Sequence, residues 1–217
     1  MGTTAATIAH EIRNPLSSVK LSLTTIKSRL TMDEQTEDCL LIAIEEVGYL
    51  ERILKELLDF AKPEELKLIR CSINDIVGIA LSNVKVTLQR EEVTILKKLS
   101  DSLPPINLDP DQLTKAIGNV MLNASQAVGE KGVIEVSSRL CSRGKEVCLT
   151  ISDNGCGMDE ETLDNIYTPF YSKKSEGTGL GMTVVEKVIN GHNGNVDIHS
   201  KKGQGTTVRL FLPVKDT

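Results

Sequence analysis

A histidine beside a carboxylate near the start of the chain is the first feature whose residue types could do chemistry. Residues 10–14 read His-Glu-Ile-Arg-Asn. On a helix, His10 and Asn14 share one face, while Glu11 points about 100° away around the axis. An imidazole with one free nitrogen is a nucleophile, and Glu11 could accept the proton of the other nitrogen. Asn14 could orient a water molecule beside a modified His10.

A histidine on a helix is most often only a polar surface residue, so this pattern needs support. A zinc motif of the form HExxH is absent, because residue 14 is Asn. Pro15 is the more unusual residue, because a proline inside a helix lowers the stability of that helix by about 3 kcal/mol or more. Stability alone therefore does not favour a proline at this position. We therefore expect a helix that bends beside a reactive histidine.

Two asparagines form a second candidate site. Asn119 and Asn123 are four residues apart in a segment predicted to be helical, so they share a face. Their amide oxygens suit Mg²⁺, which is usually shared with substrate phosphates. Asparagine pairs also cap helices or bond locally. Asparagine is nevertheless a poor helix former, so two on one face of an apolar helix need a reason.

Asp153 follows an apolar run and begins the segment Asp-Asn-Gly-Cys-Gly. A carboxylate at a strand end can accept a hydrogen bond from the exocyclic amine of adenine, whereas the carbonyl of guanine would be repelled. Gly155 and Gly157 would let the backbone approach a base closely. Asp-Asn-Gly is also a common turn, so both interpretations stay open for this motif alone.

A glycine-rich stretch at 177–181 precedes a predicted helix that starts at 182. Backbone N–H groups at a helix start bind phosphates, and Lys173 and Lys174 could neutralise the terminal phosphates or be ordinary solvated lysines. The stretch is neither a dinucleotide fingerprint, since no parallel βαβ unit surrounds it, nor a P-loop. With the histidine motif, it predicts transfer of a phosphoryl group from ATP to a histidine of the same chain.

The N-terminal part of the chain must position the histidine. Apolar residues recur at steps of three and four through residues 4–30 and again through 34–61, with Asp33 as a cap and Pro63 ending the second segment. This pattern predicts two long amphipathic helices joined by a short turn. A lone hairpin cannot cover both of its apolar stripes, so we expect two copies to form a homodimeric four-helix bundle.

The rest of the chain must position the nucleotide residues. Helices are predicted at 74–89, 110–128 and 182–191, and strands at 66–71, 93–99, 133–140, 147–152, 195–200 and 205–212. The order lacks a strict βαβ alternation. It therefore predicts an α+β sandwich with helices on one face of a mixed sheet.

Composition excludes several classes of protein. The 217 residues suffice for one large or two small domains, and 40% apolar content suffices for real cores. A net charge of −5 argues against a general nucleic-acid binder. No apolar run reaches the roughly eighteen residues of a membrane span, so no membrane contact is expected of this fragment, while the native full-length protein could be membrane-anchored. The five cysteines show no framework spacing, which favours free thiols and a cytoplasmic location.

Together these motifs resemble the cytoplasmic core of bacterial sensor histidine kinases of the two-component type. The matching segments, in order, are the H box 9–16, the N box 119–124, the G1 box 153–157, the F box 169–171, the G2 box 177–181 and a closing glycine motif at 203–206. The resemblance implies a dimerisation and histidine phosphotransfer domain at 1–62. It implies an ATP-binding domain at 63–217, with the Bergerat-type α/β sandwich shared by gyrase, Hsp90 and MutL.

The resemblance also implies residue roles. His10 would be the phosphoacceptor, Glu11 the general base and Asn14 the residue of a phosphatase reaction. The implied ATP-binding residues are Asn119, Asn123, Asp153, Gly155, Gly157, Lys173, Lys174, Thr178, Gly179, Leu180, Gly181 and Thr206. Asn123 would be the Mg²⁺ ligand, and residues 167–181 would form a lid over ATP. Which of the two lysines contacts phosphate stays open.

The implied reaction is autophosphorylation from Mg-ATP, followed by transfer to an aspartate in the receiver domain of a response regulator. Whether the transfer within the dimer runs in cis or in trans depends on the handedness of the turn near residues 31–34. The alternative is a Bergerat-type ATPase that gates a clamp and uses water as acceptor, for which His10 would be dispensable. A third possibility is a dimeric scaffold without activity, although every pocket position holds a competent residue type.

Overall fold

The computed structural model of the chain describes residues 2–61, 65–90, 93–129, 131–174 and 177–214. For residues 2–11, 55, 59–61 and 86–90 it describes the backbone only. The boundary predicted between residues 62 and 63 lies outside the described part of the chain and stays a prediction.

The N-terminal part is a helical hairpin, as predicted. Helix α1 (Gly2–Arg29) continues through Pro15, and helix α2 (Glu34–Ala61) packs against it. The carboxylate of Asp33 accepts a hydrogen bond from the backbone N–H of Thr36 at 2.7 Å, which confirms the predicted cap. The two helices are joined by an ion pair of 2.6 Å between Lys20 and Glu51.

The hairpin leaves much of its apolar surface uncovered. Val47 and Leu54 are buried between the helices. Eight other large apolar side chains of the hairpin stay 38–69% exposed, namely Ile12, Val19, Leu21, Ile26, Leu30, Ile42, Leu50 and Leu57. A single copy therefore carries an apolar stripe that its own residues do not cover.

The second part contains a mixed sheet. Its strands are β2 (Thr94–Leu99), β4 (Val133–Cys141), β5 (Glu146–Asp153), β7 (Thr206–Pro213) and β6 (Asn195–Ser200), in this spatial order. Strands β2 and β4 are parallel, and the other neighbours are antiparallel. Two short strands, β1 (Ile69–Cys71) and β3 (Ile106–Leu108), form a separate antiparallel pair.

Three helices cover one face of this sheet, as predicted. They are α3 (Ile73–Arg90), α4 (Pro110–Ala127) and α6 (Gly181–Gly191), and α4 packs between the other two. Alternate residues of the strands, such as Leu149 and Leu210, point towards the helices and are fully buried. The core is aliphatic, which fits the 3% aromatic content.

The prediction missed two short elements and overestimated a third. Strand β3 has three residues after a proline pair, and helix α5 (Glu160–Asp164) has five, so neither is long enough to show periodicity. The strand predicted at 66–71 includes only Ile69–Cys71, because only these residues pair with β3.

A buried polar network fixes the start of α4. Asp109 caps the helix by accepting from the N–H of Gln112 at 3.0 Å, and it accepts from the N–H of Lys67 at 2.8 Å. The N–H of Asp109 donates to Nε2 of the buried His192, so Nδ1 of that ring carries the proton that is donated to the carbonyl of Val188. The network joins α4, α6 and the segment before β1.

We expect Asp109→Ala to lower the free energy of unfolding by about 2–4 kcal/mol, because it removes a cap and leaves buried donors unpaired. Asp111→Ala is the matched control, since Asp111 is an exposed acidic residue in the first turn of the same helix. It should cost less than about 1 kcal/mol. Urea unfolding of both variants is the measurement, and equal losses would contradict the network's importance.

Candidate nucleotide site

A cavity of about 950 Å³ lies at the end of β5, between α4, the loop before α6 and helix α2. Its lining includes these residues from the predicted set: Asn119, Asn123, Asp153, Gly157, Lys173, Lys174, Thr178, Gly179, Gly181 and Thr206. Two other predicted residues lie behind it. Gly155 packs on the backbone of Ala127, and Leu180 is buried at the start of α6.

Asp153 is a half-buried carboxylate at the floor of the cavity. Its Oδ1 accepts hydrogen bonds from the N–H of Gly155 at 2.8 Å and of Thr206 at 3.2 Å. Burial raises the pKa of Asp153, and these two hydrogen bonds oppose that increase only in part. Both backbone donors use Oδ1, so Oδ2 is left to accept from a ligand.

Close backbone contacts hold the loops around Asp153. A Cβ added to Gly205 would lie 2.0 Å from the carbonyl oxygen of Asp153, and one on Gly157 would lie 2.1 Å from that of Lys201. Both glycines have positive φ, at 84° and 61° respectively. Only glycine fits such positions.

Asn119 and Asn123 lie on the face of α4 that borders the cavity. The amide of Asn119 donates to the carbonyl of Gly181 at 3.2 Å, so it holds the first residue of α6 beside α4. Asn123, one turn further along, lines the same cavity. The prediction that these residues share one face is confirmed.

The two lysines differ in their partners. Lys173 forms ion pairs with Glu161 at 2.8 Å and Asp159 at 3.1 Å, and these carboxylates raise the pKa of Lys173. Lys174 instead donates to the side-chain oxygen of Gln126 on α4 at 3.0 Å, and desolvation lowers the pKa of Lys174. Of the two lysines, Lys174 is therefore the one whose charge is available to a ligand in the cavity.

The glycine loop before α6 is pressed against the preceding segment. Gly179 has φ of 70°, and a Cβ there would lie 2.5 Å from the carbonyl carbon of Phe170. Phe170 itself has φ of 65°, which is unusual for a bulky residue. The loop and Tyr171 thus form one wall of the cavity.

Helix α2 of the hairpin forms another wall, which the sequence did not reveal. Arg52 and Glu56, one helical turn apart, both line the cavity. The hydroxyl of Thr178 in the glycine loop donates a hydrogen bond to the carboxylate of Glu56. The two partners are 122 residues apart, so no local signal could have found them.

The predicted phosphoacceptor motif lies on α1. The backbone of His10 and Glu11 is helical, and their side chains lie outside the described part of the structure. Asn14 is exposed, and its carbonyl accepts a hydrogen bond from the hydroxyl of Ser18 at 3.1 Å. Their predicted roles therefore remain predictions.

Comparisons with known proteins match both parts of the chain. Residues 1–66 match the His Kinase A (phospho-acceptor) domain, and residues 108–216 match the family of histidine kinase-, DNA gyrase B- and HSP90-like ATPases. The chain belongs to the histidine kinases. Because a phosphoacceptor domain precedes the ATPase domain in this sensor kinase core, the clamp ATPase is not favoured.

The histidine kinase chain is 36% identical to the sensor histidine kinase ZraS of Escherichia coli (strain K12) over 217 residues, which are 100% of this chain and 46% of ZraS. It is 30% identical over 214 residues to the signal transduction histidine-protein kinase AtoS of the same organism, covering 99% of this chain and 35% of AtoS. The chain thus spans about half the length of ZraS and about a third of the length of AtoS.

Solved histidine kinases share the fold. Full-length ShkA in complex with AMPPNP superposes with a TM-score of 0.81 at 22% identity, covering 100% of this chain and 47% of ShkA. ThkA in complex with the response regulator protein TrrA superposes with a TM-score of 0.72 at 22% identity, covering 99% of this chain and 62% of that one. Within the described residues, no helix is long and apolar enough to cross a membrane.

Gly205→Ala tests the close packing around Asp153, and Gly203→Ala is its matched control. Both glycines have positive φ, but an added Cβ meets no atom within 4 Å at Gly203. We expect Gly203→Ala to cost about 1–2 kcal/mol of unfolding free energy and Gly205→Ala at least about 3 kcal/mol, measured by urea unfolding. Similar losses in the two variants would show that the close approach at Gly205 is unimportant.

Proposed function

We propose that this histidine kinase core binds Mg-ATP in the cavity, phosphorylates His10 and passes the phosphoryl group to an aspartate of a response regulator. The observation that carries the proposal is that α2, from the hairpin that bears His10, forms one wall of the cavity. The proposed ATP site and the helix that bears the phosphoacceptor are thereby in contact through the same helical hairpin.

The positions along the hairpin support this arrangement. Glu51 of α2 bonds Ser17 and Lys20 of α1, and the two helices run in opposite directions. Glu56 is five residues further along α2, which brings it level with residues 12–15 of α1. At a rise of about 1.5 Å per residue, the backbone of His10 is about 3–8 Å away along the axis. The cavity wall thus lies within about two turns of the proposed acceptor.

Asp153 is the residue proposed to select adenine. Its Oδ2 would accept from the exocyclic amine of the base, while Gly155 and Thr206 hold Oδ1. Ionised Asp153 is costly at this half-buried position, since burial raises its pKa, and a donor on the ligand offsets that cost. Guanine offers a carbonyl oxygen in place of the amine and would be repelled.

The other end of the cavity suits a polyphosphate. Lys174 supplies positive charge, and the backbone N–H groups of Thr178 and Gly179 lie just before α6. Asn123 would hold Mg²⁺, which neutralises phosphate charge and suits an amide oxygen as ligand. The described residues contain no cluster of three or more His, Cys, Asp or Glu side chains, so such a cation would take most of its ligands from phosphate and water.

The reaction itself would be an in-line displacement on α1. A ring nitrogen of His10 attacks the γ-phosphorus, the bond from that phosphorus to the bridging oxygen breaks, and ADP leaves. Glu11 accepts the proton from the other ring nitrogen. Asn14 would position a water molecule for the proposed phosphatase activity, which removes phosphate from the partner regulator.

A second copy of the chain and a response regulator are the proposed partners. The exposed apolar stripe of the hairpin would be buried in a homodimeric four-helix bundle. The match to the phosphoacceptor domain supports this dimer. The receiver domain would dock near Ser17, Ser18 and Leu21, and the ThkA structure is a complex of a related fold with a response regulator.

Asp153→Asn should weaken binding of AMPPNP by about 10–100-fold, because the ionised acceptor is lost while the amide oxygen still accepts from the backbone. Asp164→Asn, an exposed carboxylate on α5, is the control and should bind normally. Isothermal titration calorimetry measures both affinities. Unchanged affinity in Asp153→Asn would remove Asp153 from the adenine site.

The same variant has an expected pH signature in the free protein. A raised pKa means that folded Asp153 holds its proton more tightly than the unfolded chain does. Its contribution to stability is therefore largest below the ordinary carboxyl pKa and is lost as pH rises through the raised value. Between pH 4 and pH 8, the melting temperature of Asp153→Asn should rise relative to that of the native protein as pH rises.

Incubation with γ-labelled ATP and Mg²⁺ tests the proposed function directly. We expect acid-labile, base-stable label in the native protein and in His199→Ala, which alters an exposed histidine of β6. His10→Ala should lose the label. Phosphate released to water equally by all three proteins, with no labelled protein, would contradict the kinase and favour a simple ATPase.

A further inference from the structure

Tyr171 carries a hydroxyl group that the structure leaves without a partner. Its oxygen is buried, and no described residue lies within hydrogen-bonding distance of it. Buried hydroxyls are normally paired, because an unpaired one has lost its water without compensation. Tyr171 also lines the candidate nucleotide cavity. The unpaired hydroxyl thus belongs to a residue of the cavity wall.

The position of this side chain is set by its backbone. The N–H of Tyr171 donates to the carbonyl of Thr168 at 3.1 Å, and the preceding Phe170 has φ of 65°. A Cβ on Gly179 would lie 2.6 Å from the nitrogen of Tyr171 and 2.7 Å from its carbonyl oxygen. The glycine loop therefore rests directly on this residue. Contact with Gly179 places Tyr171 beside the part of the cavity proposed for phosphates.

The chemistry of the neighbours indicates the partner. Lys174 and Asn123 line the same cavity, and phosphate oxygens are strong acceptors for a hydroxyl donor. We propose that the hydroxyl of Tyr171 donates a hydrogen bond to a phosphate oxygen of the bound nucleotide and positions the polyphosphate for transfer. This inference rests on the proposed ATP site and adds a substrate-binding residue to it.

A ribose hydroxyl could accept the same hydrogen bond, so the test must separate the two ends of the nucleotide. AMPPNP and ADP carry phosphates, whereas adenosine carries the base and ribose alone. Binding of each, with Mg²⁺, is measured by isothermal titration calorimetry on the full chain. The variant is Tyr171→Phe, which removes only the hydroxyl. Tyr49→Phe on α2 is the matched control, because Tyr49 neither lines the cavity nor lies in the lid predicted at 167–181.

We expect Tyr171→Phe to bind AMPPNP and ADP about tenfold more weakly than the native protein and adenosine equally well. The free variant should melt at the same temperature or higher, because the lost hydroxyl had no partner in the free protein. The increase in melting temperature on adding AMPPNP should be smaller in the variant. Tyr49→Phe should bind all three ligands as the native protein does.

Three results would overturn the inference. Equal affinity of Tyr171→Phe and native protein for AMPPNP removes the contact. An equal loss for adenosine moves the contact to the ribose. A lower melting temperature of the free variant shows that the hydroxyl has a structural role. Failure of the native protein to bind any nucleotide is a separate outcome, because it removes the proposed ATP site itself.

Discussion

The half-buried carboxylate of Asp153 is the constraint on which the rest of the site depends. A carboxylate can stay at the end of a central strand only if donors compensate its lost water, and here the N–H groups of Gly155 and Thr206 do so. To supply them, one loop approaches the strand so closely at Gly205, and the other loop approaches Lys201 so closely at Gly157, that neither glycine can carry a side chain. The position of one charge therefore sets the path of three backbone segments.

The opposite end of the cavity is held by contacts between elements that are distant in sequence. Asn119 binds the first residue of α6, and Gly179 rests on the backbone of Tyr171. Thr178 then donates to Glu56 of α2, which joins the glycine loop to the helical hairpin. Because the proposed acceptor lies on the same hairpin, this contact places the candidate nucleotide cavity and the proposed acceptor helix in one structural unit. Positioning of this kind is the main requirement of phosphoryl transfer.

Much of this molecule was predictable because its signals are local. The heptad-like spacing predicted α1 and α2 to within two residues, and Asp109-Pro110 marked the start of α4. The mixed sheet followed from alternation in its longer strands. Strand β3 and helix α5 were missed because three and five residues are too few for a period to show. The difference between the partners of Lys173 and Lys174 needed coordinates, since it depends on the carboxylates of Asp159 and Glu161.

The sequence by itself determined the order of the motifs, the type of each long element and the chemistry that each motif can support. These properties depend on residues that are close along the chain, where spacing maps directly onto a helix face or a strand face. Only the tertiary structure decided that α2 forms a wall of the cavity, that Glu56 bonds Thr178 and that the hydroxyl of Tyr171 is buried without a partner among the described residues. Each of these depends on how separate elements pack, and packing brings together residues whose separation in sequence carries no signal.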